Sequence, residues 1–188
     1  MKRTIMKTDT LRSFLGILCA VILAATGAVQ AADSPTFKVG DKTFTRPAAW
    51  QALPLSSPLR LADLKIPSAD GKTNAEVVFF QFGTGAGGSV QANIDRWLGQ
   101  FAEPKDKINS KVENVTVGKT QVTYVSAQGT YNSGMPGGPT TPTPDSGLLG
   151  AIVGNPGDNL IFVRMTGPKA LVASSNDDFK KMVESALK

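Results

Sequence analysis

The sequence predicts an α+β fold, an antiparallel sheet of six to seven strands with two helices packed on it. Three observations predict it. Extended, β-rich segments are joined by short Gly/Asp/Asn turns, and these force antiparallel pairing because parallel neighbours need a long crossover. Two segments carry apolar residues at helical spacing, and such stripes must be buried against a sheet. The segments run strands, helix, four strands, helix, with no internal repeat.

The chain opens on Lys2, Arg3, Lys7 and Arg12, followed by an apolar stretch from about Phe14 to Ala28 and then Val29-Gln30-Ala31. A basic start, a short apolar core and small residues at the end form the layout of a secretory signal. The apolar run is shorter than the roughly 20 residues a membrane-spanning helix needs. Residues 1–31 are therefore expected to be a cleaved signal peptide, 32–36 a short linker, and 37–188 one globular domain. No membrane span is expected after cleavage, and the destination is the periplasm or the exterior. Cys19 sits mid-way through the apolar core, unlike a lipid-attachment site.

Cleavage changes the charge balance. The 20 bases and 15 acids of the chain lose four and one respectively, leaving 16 against 14, a net of +2. The basic character belongs largely to the leader, and the remainder shows no Lys/Arg cluster of the kind nucleic-acid binding requires. The single Cys lies in the leader, so the domain is expected to stand without disulfides. Taking 31 from 188 leaves 157 residues, a length that buries roughly 70% of the unfolded surface. The chain has no His, the commonest proton shuttle and metal ligand near neutral pH.

Element by element, Phe37 and Val39 alternate, Gly40-Asp41 supplies a turn, and Phe44 resumes an extended pattern that Pro47 stops. Leu59, Leu61, Leu64 and Ile66 read as the next strand, their change of parity placing a bulge near Asp63. Val77 to Phe82 is apolar at nearly every position and belongs in the middle of the sheet. After Gly83-Thr-Gly-Ala-Gly-Gly88, Val90, Ile94, Trp97, Leu98 and Phe101 line one face of a helix capped by Ser89 and ended by Pro104. Val112–Val117 and Val122–Val125 form a hairpin about Gly118-Lys119. Residues 131–147 break all periodicity. Strands return at Leu148–Val153 and Leu160–Met165. Ser175 and Asp178 then form a capping box for a last helix, with Phe179, Met182, Val183, Ala186 and Leu187 on one face.

Gly83-x-Gly85-x-x-Gly88 matches a dinucleotide-binding turn, since bare amides at a helix N-terminus attract phosphate. Against that reading, the segment twenty residues on is a polar break, and the surrounding topology is antiparallel. What remains is either a flexible linker or a turn that holds an anion or a peptide carboxylate on free amides, formed by Gly83, Gly85, Gly87, Gly88 and Ser89. The second candidate is the Pro/Gly/Thr loop, because long irregular loops within compact domains are often functional. Tyr131, Met135, Pro136, Pro139, Pro142 and Pro144 are its candidate partner-binding residues; a solvated insertion is the alternative. Asp177 and Asp178 suit the dipole of the last helix. Asp95 and Arg96 lie on the polar side of the first helix, and Trp50 and Trp97 are candidate core residues. Ser nucleophiles lack a base, and no Ser-x-x-Lys stands in a catalytic setting. No catalytic residue, metal ligand or cofactor is predicted.

Several segments together carry a resemblance. They are Phe44…Pro47-Ala-Ala-Trp50, the Gly-rich turn into Ser89-Val-Gln-Ala-Asn-Ile-Asp-Arg-Trp97…Gln100-Phe101, Gly137-Gly-Pro139…Pro142-x-Pro144, Leu148–Val153 and Met165-Thr-Gly-Pro168. With these, nearly all of the chain after the leader resembles a family of uncharacterised secreted bacterial proteins with a fold similar to the PsbP/Mog1-like α/β/α sandwich. The resemblance implies a bacterial source, export and a role as a binding partner in a larger assembly, and carries over no catalytic residue. The expected function is a non-enzymatic binding or assembly module of the cell envelope with a protein partner. The alternative is a small-molecule-binding or hydrolytic enzyme whose carboxylates the fold brings together.

Overall fold

The structure, a computed structural model, describes residues 35–134 and 138–188. The expected signal peptide, the first residues of the expected linker, and Met135 and Pro136 lie outside the described residues. Among the described residues, no helix is long and apolar enough to cross a membrane.

Strands β1 (Thr36–Val39) and β2 (Lys42–Thr45) pair as a separate hairpin. Gly40 takes a φ of 59° at its turn, a conformation open to glycine without a Cβ penalty. The hairpin is held down by aromatics: Phe37 stacks on Phe44, and both meet Phe79 edge-on with ring centres 5.1 Å away. The main sheet has seven strands: β3 (Gln51–Leu53), β4 (Ala62–Pro67), β5 (Asn74–Gln81), β6 (Lys111–Val117), β7 (Thr120–Gly134), β8 (Thr140–Val153) and β9 (Ile161–Pro168). Its order is β3-β4-β5-β9-β8-β7-β6, antiparallel throughout. As its apolar run implies, β5 is interior, with Val77, Val78 and Phe79 buried.

Helices α1 (Val90–Leu98), α2 (Lys169–Ser174) and α3 (Asn176–Ser185) complete the fold. Two glycines of β8 show where they pack. A Cβ on Gly150 would lie 2.3 Å from the Trp97 ring of α1, and one on Gly147 would lie 3.0 Å from Val172 of α2. An odd spacing along a strand puts these positions on opposite faces, so α1 and α2 flank the sheet. One face buries Phe79, Ala151, Val163, Met165, Phe179 and Met182, under α2, α3 and the β1–β2 hairpin. The other buries Ile94, Trp97, Leu98, Ile108, Ile152 and Phe162.

Four expectations are corrected. The strand sought from Leu59 begins at Ala62, and Leu59 and Leu61 are exposed. No bulge lies near Asp63: the β4–β5 register is continuous, and Asp63 is buried because it is paired with Arg60. Three helices stand where two were expected, because α2 precedes the predicted last helix, α3, and Ser175 does not cap α3 with its side chain. Its φ of −89° and ψ of 0° turn its hydroxyl back to donate to the Leu171 carbonyl at 2.8 Å.

The largest correction concerns residues 131–147. The expected irregular loop is a β-arm, in which β7 and β8 run on past the sheet with Tyr131, Asn132, Ser133 and Gly134 opposite Thr143, Pro142, Thr141 and Thr140. The Asn132 N–H points away from β8, to the Gln100 carbonyl at 2.7 Å. Asn132 and Pro142 are thus a non-hydrogen-bonded pair, and the nitrogen of Pro142 faces outward. Pro144, two residues on, shares that side. Since β9 ends opposite Ser146, this stretch is an edge, where a strand tolerates proline.

Candidate functional site

The two segments singled out in the sequence flank α1. At its N-terminus, Gly83, Gly85 and Gly88 adopt φ values of 83°, 77° and 79°, and the turn closes over the Phe162 ring, 2.6 Å from where a Gly87 Cβ would stand. Ser89 caps the helix as predicted, its Oγ accepting from the Ala92 N–H at 3.1 Å. The buried Asn93 side chain donates to the carbonyls of Gly87 and Ser89. With the 154–158 turn the glycines rim a cavity of about 310 Å³ floored by Ile152, Leu160 and Phe162. It is an apolar hollow with a backbone rim.

At the C-terminal end of α1 the arm is stitched to the helix. Ala102 donates to the Thr130 carbonyl at 2.9 Å, Phe101 bridges Tyr131, and their rings meet edge-on at 5.5 Å. The β7–β8 register shifts between Gly129 and Tyr131. Asp145 takes a φ of 51° across this bulge. The Thr130 N–H donates to both carboxylate oxygens of Glu103, at 2.9 and 2.8 Å, and Thr130 holds that carboxyl below its ordinary pKa.

Between arm and helix lies a groove of about 560 Å³. Phe80, Phe162, Arg164 and Thr166 floor it, α1 contributes Arg96 and Trp97, the turn after it Gln100, the arm contributes Tyr131 to Gly134 and Thr140, and Arg60, Glu76 and Phe82 close the far side. Phe162 floors both cavities. Of the predicted loop residues that the structure describes, Tyr131 lines the groove and Pro139, Pro142 and Pro144 do not. All five residues of the predicted anion turn, Gly83, Gly85, Gly87, Gly88 and Ser89, line the smaller cavity.

The groove is cationic. Arg60 is committed, its Nη1 standing 3.1 Å from Asp63 and 2.6 Å from Glu76. Asp63 is itself fixed by the Ser56 N–H and hydroxyl. Arg96 donates to Asn93 Oδ1, and Arg164 Nη1 to Gln100 Oε1 at 3.1 Å. Among the described residues, neither Arg96 nor Arg164 has an ion-pair partner. Arg164 Nε is buried and makes no hydrogen bond. Burial pushes the Tyr131 hydroxyl above its usual pKa, against the opposing effects of Arg164 and of the Gln100 side chain. Among the described residues, no three His, Cys, Asp or Glu side chains gather to hold a metal ion.

No protein-family model matches the chain, and no curated protein matches it significantly.

Sequence reasoning passed over Arg60, Glu76, Gln100 and Arg164. One signal was present: Arg164 interrupts the apolar run Leu160–Met165, at the same parity as Phe162. A cation at such a position is either paired or used. The convergence of the other three on it depends on strand order.

Proposed function

We propose that the protein is an exported, non-enzymatic binding module of the bacterial cell envelope, and that its protein partner seats in the groove between α1 and the β-arm. One observation carries this reading: the arm holds Tyr131, Asn132 and Ser133 over a groove whose floor presents an arginine with an unfilled donor. A buried donor without a partner costs about 1–3 kcal/mol. An unfilled buried donor calls for a reason in a native fold, and a contact made with a partner supplies one. Glu76, the one acid among the described residues that lines the groove, and Asp63 behind it are both held by Arg60, an arrangement that suits counter-ions better than a general acid and base.

Two further points support the wider reading. The basic start, apolar core and Val29-Gln30-Ala31 of the leader favour export. Helices on both faces of an antiparallel sheet suit a PsbP/Mog1-like α/β/α sandwich, the fold group that the resemblance implies.

The test is a photo-crosslinking amino acid placed at Ser133, on the arm, and separately at Lys119, in the turn between β6 and β7, in cells that make and export the chain. Crosslinks to a protein from Ser133 and none from Lys119 are expected. Equal labelling at both positions, or none at either, overturns the reading.

A further inference from the structure

We propose that Arg164 is the receptor for a carboxylate on the partner, so that what the groove takes is an acidic peptide segment. This rests on the groove being the partner's seat, and it names the chemistry that fills it.

A guanidinium offers two donor edges of different geometry. In Arg164 the Nη1 side is occupied by Gln100 Oε1. The opposite edge, made by Nε and Nη2, has no partner among the described residues, and its Nε is buried. Two parallel N–H groups on one planar edge match the two oxygens of a carboxylate, and such bidentate, charge-assisted pairs are roughly twice as strong as neutral hydrogen bonds. Nε lies beneath the groove surface, so the guanidinium must tilt toward the groove for both donors to reach one carboxylate.

The surroundings fit an anion. Three arginines, Arg60, Arg96 and Arg164, line the groove against one carboxylate, Glu76, and Glu76 is already taken by Arg60. Asp63 offsets part of the charge of Arg60 from behind. Arg96 stands exposed on α1 with, among the described residues, the Asn93 side chain as its partner, and its remaining donors can take a second acid. Low-dielectric walls of Phe80, Trp97 and Phe162 strengthen whatever charge contact forms there. They also give apolar surface to the side chains beside the acid. Arg164 thus fixes a point and Arg96 a direction along the groove, which suits an extended chain with acids at intervals.

The experiment is an array of random, terminally blocked dodecapeptides, each spotted beside a copy with Asn for Asp and Gln for Glu, probed with the exported chain. Free acetate and inorganic phosphate serve as competitors. Bound peptides should be acid-bearing, should lose at least tenfold in affinity in the amide copy, and should be displaced by either anion only at concentrations far above the peptide's own. Arg164→Met should abolish the acid preference, and Arg164→Lys, which keeps the charge without the fork, should lose most of it. The thermal midpoint of Arg164→Met should be unchanged or higher, because an unfilled buried donor has been removed. An arginine with a purely structural role would lower it.

Peptides bound equally well as acid and amide would overturn the carboxylate receptor while leaving the groove as the partner's seat. An array without binders, or acetate and phosphate displacing peptide at its own concentration, would overturn it in favour of a small free oxyanion. Crosslinks from Ser133 that persist in Arg164→Met show that the seat stands and this inference alone has failed.

Discussion

Gly150 lies in the middle of an eight-residue buried run in β8, where glycine costs strand stability. What it gains is the approach of Trp97, whose ring occupies the space of the missing side chain. That contact sets the height of α1 above the sheet, and so the wall of the groove. Gly150→Ala should destabilise the fold by about 1–3 kcal/mol, the usual cost of overpacking a rigid neighbour. A urea titration reads it as a lower midpoint with an unchanged slope; a midpoint equal to wild type would mean that Trp97 does not pack there. Some residue-scale roles were legible in the sequence, others not, and capping separates them. The Ser89 cap depends on its own turn and the residues just after it, and reads correctly. Ser175 has the same local pattern, but α2 immediately before it imposes a helical backbone and turns its hydroxyl to Leu171.

For the arm, the decisive contact is the one at its root. The bulge frees the Thr130 N–H from the ladder, and Glu103 takes it. The folded pKa of Glu103 is depressed, by the Thr130 side chain first and its backbone second. A depressed carboxyl contributes stability above its unfolded pKa, about 4.3, and loses it as pH falls through the folded value. Glu103→Gln should therefore lower the thermal midpoint at neutral pH, and the gap from wild type should close as pH drops below about 4. A gap independent of pH would show that the carboxylate plays no part. That the arm is β at all was hidden from sequence reasoning, because proline normally argues against a strand. Pro142 and Pro144 fit only because β9 stops opposite Ser146 and leaves them an outer edge. Strands β5 and β6 and the first part of β7 were legible because alternation, apolar runs and the Gly118 turn are local signals.

At the scale of the whole molecule, the α+β class was legible from two helical stripes among turn-linked strands. The strand order was not. β9 enters between β5 and β8, a pairing across about eighty residues that no local pattern encodes. The groove inherits this, since its lining comes from positions 60, 76–82, 93–100, 131–134, 140 and 162–166. One face of the sheet buries its core under α2, α3 and the hairpin. On the other, α1 stands over β7 and β8, and the floor over β5 and β9 is closed only by the arm and the Arg60 segment. Function is assigned to the less covered face. The most direct check is hydrogen–deuterium exchange of the protein alone and of the protein crosslinked through Ser133 in cells. The account predicts slower exchange at Gly99, Gln100, Ser133 and Gly134, with no change at Gly118 and Lys119. Protection confined to the β3 edge or to α3, with the groove amides unaltered, would contradict it.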